Sequence, residues 1–388
     1  MNNDFTNCPL CGGGGAKILL TLSFSERLGL PETVELRLCD CCDFAYISPR
    51  DASGYEKYYA STNNDQLDGR MADAYEISLL EAARYQGQVN LLSQLIDQPG
   101  PLKVLDIGCG RAGLLRTLQE RYPQHQYYGS DPHIKEEACN STGITFNRSW
   151  KAISSKFDLI ILSHVMEHIL DLGEFSQVTK LLAQTGSLYV EVPDSSRYPD
   201  APRREYLYYI DRLHCNHFTP ESLRNILQKY GLTVKLSGTQ DFQYKDGNPY
   251  PACYAIASFD GATMQKAVQS QPLRDALSRY FELETGKAKS WQRKLSSDKE
   301  IVVYGFGDNF FRAAMPGGPL AGYKIRAIVD LRWRELSQTD HAKKYHFMDL
   351  ADAIKAYSSL PFIVTVSWGM ESIVQSIAES GVKRVFDL

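Results

Sequence analysis

Three sets of residues carry types and spacings that could do chemistry. Cys8-Pro9-Leu10-Cys11 and Cys39-Asp40-Cys41-Cys42 are two C-x-x-C knuckles, and they hold five of the chain's nine cysteines. Each knuckle sets two thiolates on one side of a tight loop. Two knuckles supply four soft ligands, a closed tetrahedral set suited to structural Zn2+. The expected ligands are Cys8, Cys11, Cys39 and Cys42; the spacing favours Cys42 over Cys41 as the fourth. The second set is Val104-Leu105-Asp106-Ile107-Gly108-Cys109-Gly110, an apolar strand running into a glycine turn. The third is histidine: His164 and His168 after an apolar run, and His214 and His217 further on. An imidazole titrates near neutrality, so it can take a proton from a hydroxyl or from a carbon beside a ketone.

Asp106 sharpens the glycine turn. A carboxylate at that strand end would repel a dinucleotide pyrophosphate, but it suits a ligand carrying an ammonium group, as the methionine part of S-adenosylmethionine does. Asp131 closes the next strand in Tyr128-Gly129-Ser130-Asp131, where a carboxylate can accept both hydroxyls of a ribose. The third glycine usual in such loops falls at Ala112, one methyl larger.

These residues need elements to place them. Residues 72–96 read as a helix, stopped by Pro99-Gly100-Pro101. Strands expected at 102–107, 126–129, 157–162 and 186–192 then alternate with helices near 112–121 and 171–184, which argues for a parallel α/β sheet. Pro272 can open a connecting helix within 262–298. Strands at 300–304, 324–329, 362–366 and 382–386, with a helix at 369–380, restart the alternation. The expected division is a zinc-binding lobe over 1–65, a cofactor-binding domain over 66–260, a helical linker over 261–298 and a smaller Rossmann-like domain over 299–388. In that last unit Gly305-Phe306-Gly307 and Asp330 echo the first turn. Tyr304 stands where an acid would be wanted, so either a degenerate unit walling the site or a second nucleotide site follows.

"VLDIGCG", the acid closing the second strand, and Ser163-His164-Val165-Met166-Glu167-His168-Ile169 resemble class I S-adenosylmethionine-dependent methyltransferases. The cysteine knuckles, the tyrosines near 55–59, His214 before Phe218-Thr219-Pro220-Glu221-Ser222-Leu223, and the second Rossmann-like unit are similar to the three-part nucleotide-sugar C-methyltransferases. The resemblance spans nearly the whole chain. It implies S-adenosylmethionine held by Asp106, Gly108, Cys109, Gly110, Asp131, Ser163 and His164. It implies an acceptor facing His214, His168 and Tyr59, with His214 as base. The family's glutamate before that histidine is Leu213 here, which puts C-methylation in question, opens O-methylation of another small molecule or a glycan, and leaves Asp211 as an orienting carboxylate. Glu167 could serve as a helix-start carboxylate.

Composition narrows the alternatives. With 42 basic and 46 acidic residues the net charge is −4, which offers no footprint for nucleic acid. The segment 43–75 contributes only Arg50, Lys57 and Arg70 as cations, so the zinc lobe is expected to pin a loop rather than grip RNA. Ser163-His164-Val165-Met166 also stands where enzymes that methylate exocyclic amines commonly have Asn/Asp-Pro-Pro-aromatic. A protein acceptor and a cofactor-binding scaffold without turnover are the remaining rivals. No apolar run reaches the ~20 residues of a membrane span, and the N-terminus lacks a secretory pattern. A cytoplasmic, small-molecule enzyme is expected.

Overall fold

The computed structural model describes residues 7–27, 29–60, 79–132, 143–243, 249–260, 271–367 and 369–388. The expected boundary at 65/66, the start of the 72–96 helix, Arg70 and the first residues of the linker lie outside these.

Three sheets are present among the described residues. The first is formed by β1 (Ala16–Ser23), β2 (Thr33–Cys39), β3 (Ala45–Ser48) and, far along the chain, β9 (Asn216–His217). Its last rung pairs Ala45 with His217 and Tyr46 with Asn216, so the N-terminal strands are bonded to the segment that carries the second histidine pair. Helix α1 (Ala52–Ala60) follows β3 and sends the Tyr55 hydroxyl to the carbonyl of Arg212 at 2.7 Å.

After α2 (Leu79–Ile96) the central sheet begins. It contains β4 (Lys103–Ile107), β5 (Gln126–Ser130), β6 (Thr145–Asn147), β7 (Phe157–Ser163), β8 (Leu182–Pro193), β10 (Thr233–Gln243) and β11 (Pro249–Ser258), in the order β10-β11-β8-β7-β4-β5-β6. The five strands from β8 to β6 are parallel. Their apolar runs (Leu159–Leu162, for example) are buried because helices such as α3 (Gly113–Arg121) cover the sheet. The chain moves outward from β4 to β6 and then returns to the other side of β4. The carboxyl ends of β4 and β7 therefore flank a topological switch point, where doubly wound sheets open a crevice.

The antiparallel pair β10–β11 at one edge is the main departure from the parallel sheet expected. The edge strand β10 lacks the long apolar run that marks a buried parallel strand, its exposure alternating over its second half, whereas β11 is buried along nearly its whole length. Strand β8 also starts at Leu182 rather than 186, which cuts the preceding helix, α4 (Phe175–Leu181), short.

Helix α6 (Leu273–Lys294) begins directly after Pro272 and buries Leu273, Ala276, Leu277, Tyr280 and Ala288. The third sheet is all parallel, in the order β14-β13-β12-β15-β16, from β12 (Glu300–Tyr304), β13 (Lys324–Val329), β14 (Phe347–Met348), β15 (Phe362–Val364) and β16 (Val385–Asp387). Helix α7 (Asp308–Ala314) leaves its first glycine turn and packs toward the N-terminal lobe.

Candidate active site

At the end of β4 the backbone turns through Gly108 (φ 74°), Gly110 (φ 52°) and Ala112 (φ 59°) into α3. Gly108 cannot be larger, since a Cβ there would lie 2.4 Å from Val165 Cγ2. The amides of Gly108 and Cys109 donate to the carbonyl of Ser130 at 2.7 and 3.2 Å, and the amide of Gly110 donates to Asp131 Oδ2 at 3.0 Å. The loop and the Asp131 carboxylate are thus one bonded unit. Asp106 lies under it and is 4% exposed. Burial, and then the Asp131 carboxylate, push its carboxyl up to about 8. A buried acid with this bias is stabilised by an incoming cation, so the residues fit an ammonium-bearing ligand with a ribose.

Beyond β7 the chain makes a left-handed step at His164 (φ 56°) and a short helical turn over Met166–His168. His164 is held between two buried carboxylates. Its Nδ1 is 3.2 Å from Glu167 Oε1 and its Nε2 is 3.3 Å from Glu191 Oε1. The two carboxylates outweigh burial and the nearby Arg84, so its imidazole titrates above the usual range. Glu191, on β8, also accepts from Gln88 Nε2 at 2.6 Å and from the Tyr189 hydroxyl at 2.8 Å. Ser163 Oγ accepts from Gln88 Nε2 at 2.7 Å and from Arg84 Nη2 at 3.0 Å. Helix α2, through Arg84 and Gln88, is in this way bonded across the end of β7.

The two histidines expected at the acceptor come together. The rings of His168 and His214 are 5.0 Å apart, nearly perpendicular. His168 Nδ1 is 2.9 Å from the carbonyl of Leu213, so that nitrogen carries the proton and donates. A ring nitrogen of each histidine and an oxygen of Glu167 all lie within 4.8 Å of one another. Tyr59 packs beside Leu213 and Leu170 in the same apolar cluster. Burial and then the neighbouring His168 push His214 down to about 4, which keeps its imidazole neutral at pH 7. His217 takes the structural role: it is buried, hydrogen-bonded to the Tyr198 hydroxyl at 3.2 Å, and pushed by burial down to about 3.

Two expectations need correction here. Asp211 does not orient His214: its Oδ1 accepts from the amide of Leu213 at 2.8 Å and its Oδ2 from Arg312 Nη1 at 3.0 Å. Glu167 does not cap a helix start either, because its oxygens face the histidines. Arg312 lies on α7, which also sends Asp308 to the fully buried Arg212 at 3.1 Å and to Ser25 Oγ at 2.9 Å. The turn bearing His214 is thereby clamped by residues from both ends of the chain. Nothing in the local sequence around Asp308 or Arg312 signals this. Glu191, Gln88, Arg84, Arg212 and Arg312 all went unread because each bonds to at least one partner from a distant segment, as Gln88 does to Glu191, 103 residues on, and Arg312 to Asp211, 101 residues back.

In the N-terminal lobe the four expected cysteines converge. Cys8 and Cys42 sulfurs are 3.6 Å apart, as are those of Cys11 and Cys39, and all four lie within 4.8 Å. Tetrahedral Zn–S bonds of about 2.3 Å require sulfurs about 3.8 Å apart, so the set fits zinc. The amides of Gly13 and Cys41 point at the Cys11 and Cys39 sulfurs at 3.4 Å. Cys41 is exposed and outside the set. Arg50, counted above among the cations of the lobe, is 3% exposed. It donates to the carbonyls of Leu170 (2.8 Å) and Cys215 (2.9 Å) and to Asn216 Oδ1 (3.0 Å).

The second glycine turn repeats one detail of the first. The amide of Phe306 donates to Asp330 Oδ2 at 2.9 Å, as Gly110 does to Asp131. Its Phe306 ring is packed among Phe310, Phe311, His341 and Phe347, and Arg332 occupies the other Asp330 oxygen.

Residues 80–236 match the family model described as a methyltransferase domain. Over these residues the chain is similar to a methyltransferase domain. Two curated relatives, the trans-aconitate 2-methyltransferases of Acidovorax ebreus (strain TPSY) and Acidovorax sp. (strain JS42), are 28% and 27% identical over 127 residues. The aligned part is 31% of this chain and 48% of each relative, so the chain spans about half the length of the curated relatives it matches. Among solved structures, magnesium protoporphyrin IX methyltransferase from Synechocystis PCC 6803 is matched with a TM-score of 0.39 and 18% identity, over 53% of this chain and 99% of that one. An S-adenosylmethionine-dependent methyltransferase from Methanosarcina mazei is matched with a TM-score of 0.36 and 17% identity, over 45% and 98%. No helix among the described residues is long and apolar enough to cross a membrane.

Proposed function

We propose that the protein transfers a methyl group from S-adenosylmethionine to a small-molecule acceptor, a nucleotide-linked sugar, with His214 as the base. One observation carries this reading. The glycine loop with Asp106 follows β4, and His168 follows the adjacent strand β7 with the ring of the half-buried His214 5.0 Å from it, at the switch point of the sheet.

S-adenosylmethionine, when bound, supplies an electrophilic methyl group on a sulfonium. Asp106 would hold the ammonium, and Asp131 would add a ribose to the Gly110 amide it already holds. Ser163 and His164 would line the same side. His214, neutral through burial, would take the acceptor's proton, with His168 and Tyr59 against the acceptor. Catalysis is then positioning plus one proton transfer. Four thiolates, Cys8, Cys11, Cys39 and Cys42, would hold one structural Zn2+ that stiffens the lobe behind β3. The sugar assignment is supported by the resemblance of the layout; the loss of the family's glutamate at Leu213 favours O-methylation as the second reading.

Isothermal titration of the protein with S-adenosylmethionine tests the first part. One site is expected, lost in Asp106→Ala and Asp131→Ala; the absence of binding, or binding indifferent to both changes, removes the proposal. Solvent deuterium exchange at the acceptor carbon of keto nucleotide sugars, without methyl donor, is expected for C-methylation and not for O-methylation.

A further inference from the structure

We infer that Glu167 is the carboxylate partner of the His168–His214 pair, a positioning residue that steadies the base and receives its positive charge, with His164 and Glu191 holding Glu167 in place. The inference rests on the methyl-transfer reading above and adds a group to that site.

Glu167 is 1% exposed, and among the described residues neither of its carboxylate oxygens has a hydrogen bond of good geometry. A buried carboxylate is costly to keep unless something nearby uses its charge. What surrounds it is imidazole. Oε1 is 3.2 Å from His164 Nδ1 and 4.0 Å from His168 Nε2, and one of its oxygens is within 4.8 Å of a His214 ring nitrogen. His168 gives its Nδ1 proton to the carbonyl of Leu213, which leaves Nε2 directed at Glu167. His214 Nδ1 is itself buried and without a hydrogen-bond partner among the described residues. A base nitrogen and a carboxylate, both buried and both short of a hydrogen-bond partner, thus belong to one cluster.

The other carboxylate near His214 is engaged elsewhere. Asp211 is bonded to the Leu213 amide and to Arg312 on α7. The groups that face the His214 ring are therefore His168 and Glu167 from the turn after β7, His164 from the end of β7, and Asp211, neutralised by Arg312, from its own turn. Tyr59 closes the apolar side. Behind Glu167, His164 spans to Glu191, which Gln88, Tyr189 and Arg84 hold. The carboxylate is locked from the cofactor side and open toward the base.

The step balances without further reactants. The acceptor X–H bond breaks, the proton goes to His214, and the electron pair on X forms the bond to the methyl carbon. The carbon–sulfur bond breaks with its pair on sulfur, and the proton leaves to solvent. The imidazolium formed in between is opposite in charge to Glu167, whose anion lowers the barrier and raises the basicity of an imidazole that burial alone depresses.

The test is Glu167→Gln, equal in volume without the charge, beside Glu167→Asp, in the zinc-loaded full chain. Expected in Glu167→Gln are a fall in kcat of about 100-fold and a KM for S-adenosylmethionine within about twofold. The acid limb of the rate profile should move to lower pH, and Glu167→Asp should recover part of the rate. Histidine-detected NMR titration, which needs no acceptor, should show His164 losing at least about tenfold in proton affinity in Glu167→Gln. A kcat within threefold of the parent, or a His164 midpoint that stays put, overturns the inference. So does a second divalent cation per chain, beyond the thiolate site, that disappears in Glu167→Gln, since a metal centre would then be what the cluster holds. If the parent protein transfers no methyl group but the His164 midpoint still moves, the methyl-transfer reading fails and the pairing stands.

Discussion

Asp106 is a carboxyl whose burial holds it in the neutral form, against the anion that an ammonium ligand would need. Folded, it keeps its proton up to about pH 8; unfolded, it loses it near 3.8. A raised carboxyl pKa means the folded state binds more protons, so the ligand-free protein loses stability from this group as the pH climbs from about 4 to 8. An ammonium ligand reverses the sign by requiring the anion. Affinity for S-adenosylmethionine is therefore expected to strengthen between pH 5.5 and 7, with proton release measurable by calorimetry in buffers of different ionisation heat. Asp106→Asn should abolish both the binding and its pH dependence while raising the melting temperature of the empty protein at pH 8. Gly108 offers a steric counterpart. Alanine there adopts a left-handed φ and meets Val165, so Gly108→Ala should cost about 2–3 kcal/mol and more than tenfold in cofactor affinity, read by chemical denaturation and titration. Both residues were legible as a pair in the sequence because their roles are local to one strand end and one turn.

The elements tell a different story at the turn 211–214. Its histidine was visible in the sequence; what holds it was not. Asp308 and Arg312 sit one helical turn apart on α7 and reach Arg212 and Asp211, while the Tyr55 hydroxyl of α1 binds the Arg212 carbonyl. Arg312→Ala leaves the partly exposed Asp211 without its cation, and about 2 kcal/mol of stability should be lost. Because the change frees the turn rather than the cofactor loop, kcat should fall at least tenfold with the S-adenosylmethionine dissociation constant unchanged. A parallel loss of cofactor affinity would show that α7 supports the whole domain instead. The β10–β11 pair belongs to the same scale: the edge strand β10 alternates half-buried and exposed residues over its second half, a weaker signal than the apolar runs of β7, so the sheet edge was missed while its centre was read.

At the scale of the molecule, the N-terminal sheet beside the cysteine cluster and the segment that carries His214 share backbone hydrogen bonds. The β3–β9 rungs and the Arg50 contacts to the carbonyls of Leu170 and Cys215 run from behind the thiolate cluster to both histidine segments. Stripping the metal with a strong chelator should lower the melting temperature and reduce methyl transfer together, and added Zn2+ should restore both, with one zinc per chain by elemental analysis. If activity survives complete loss of zinc, the lobe does not support the site.

By itself the sequence determined the local chemistry of the protein: two cysteine knuckles, a strand end with an acid before a glycine turn, a second acid one strand later, and two histidine pairs. Each follows from residue type and short spacing, since thiolate geometry, left-handed turns and strand termini are set within a few residues. Only the tertiary structure decided which of these groups meet and in what charge state. It separated His217, a structural residue, from His214. It gave Asp211 to Arg312 and set Glu167 among the histidines. It also bonded strands more than 150 residues apart into one support. Burial and approach between distant segments fix ionisation and hydrogen-bond partners, and neither is a property of any short stretch of chain.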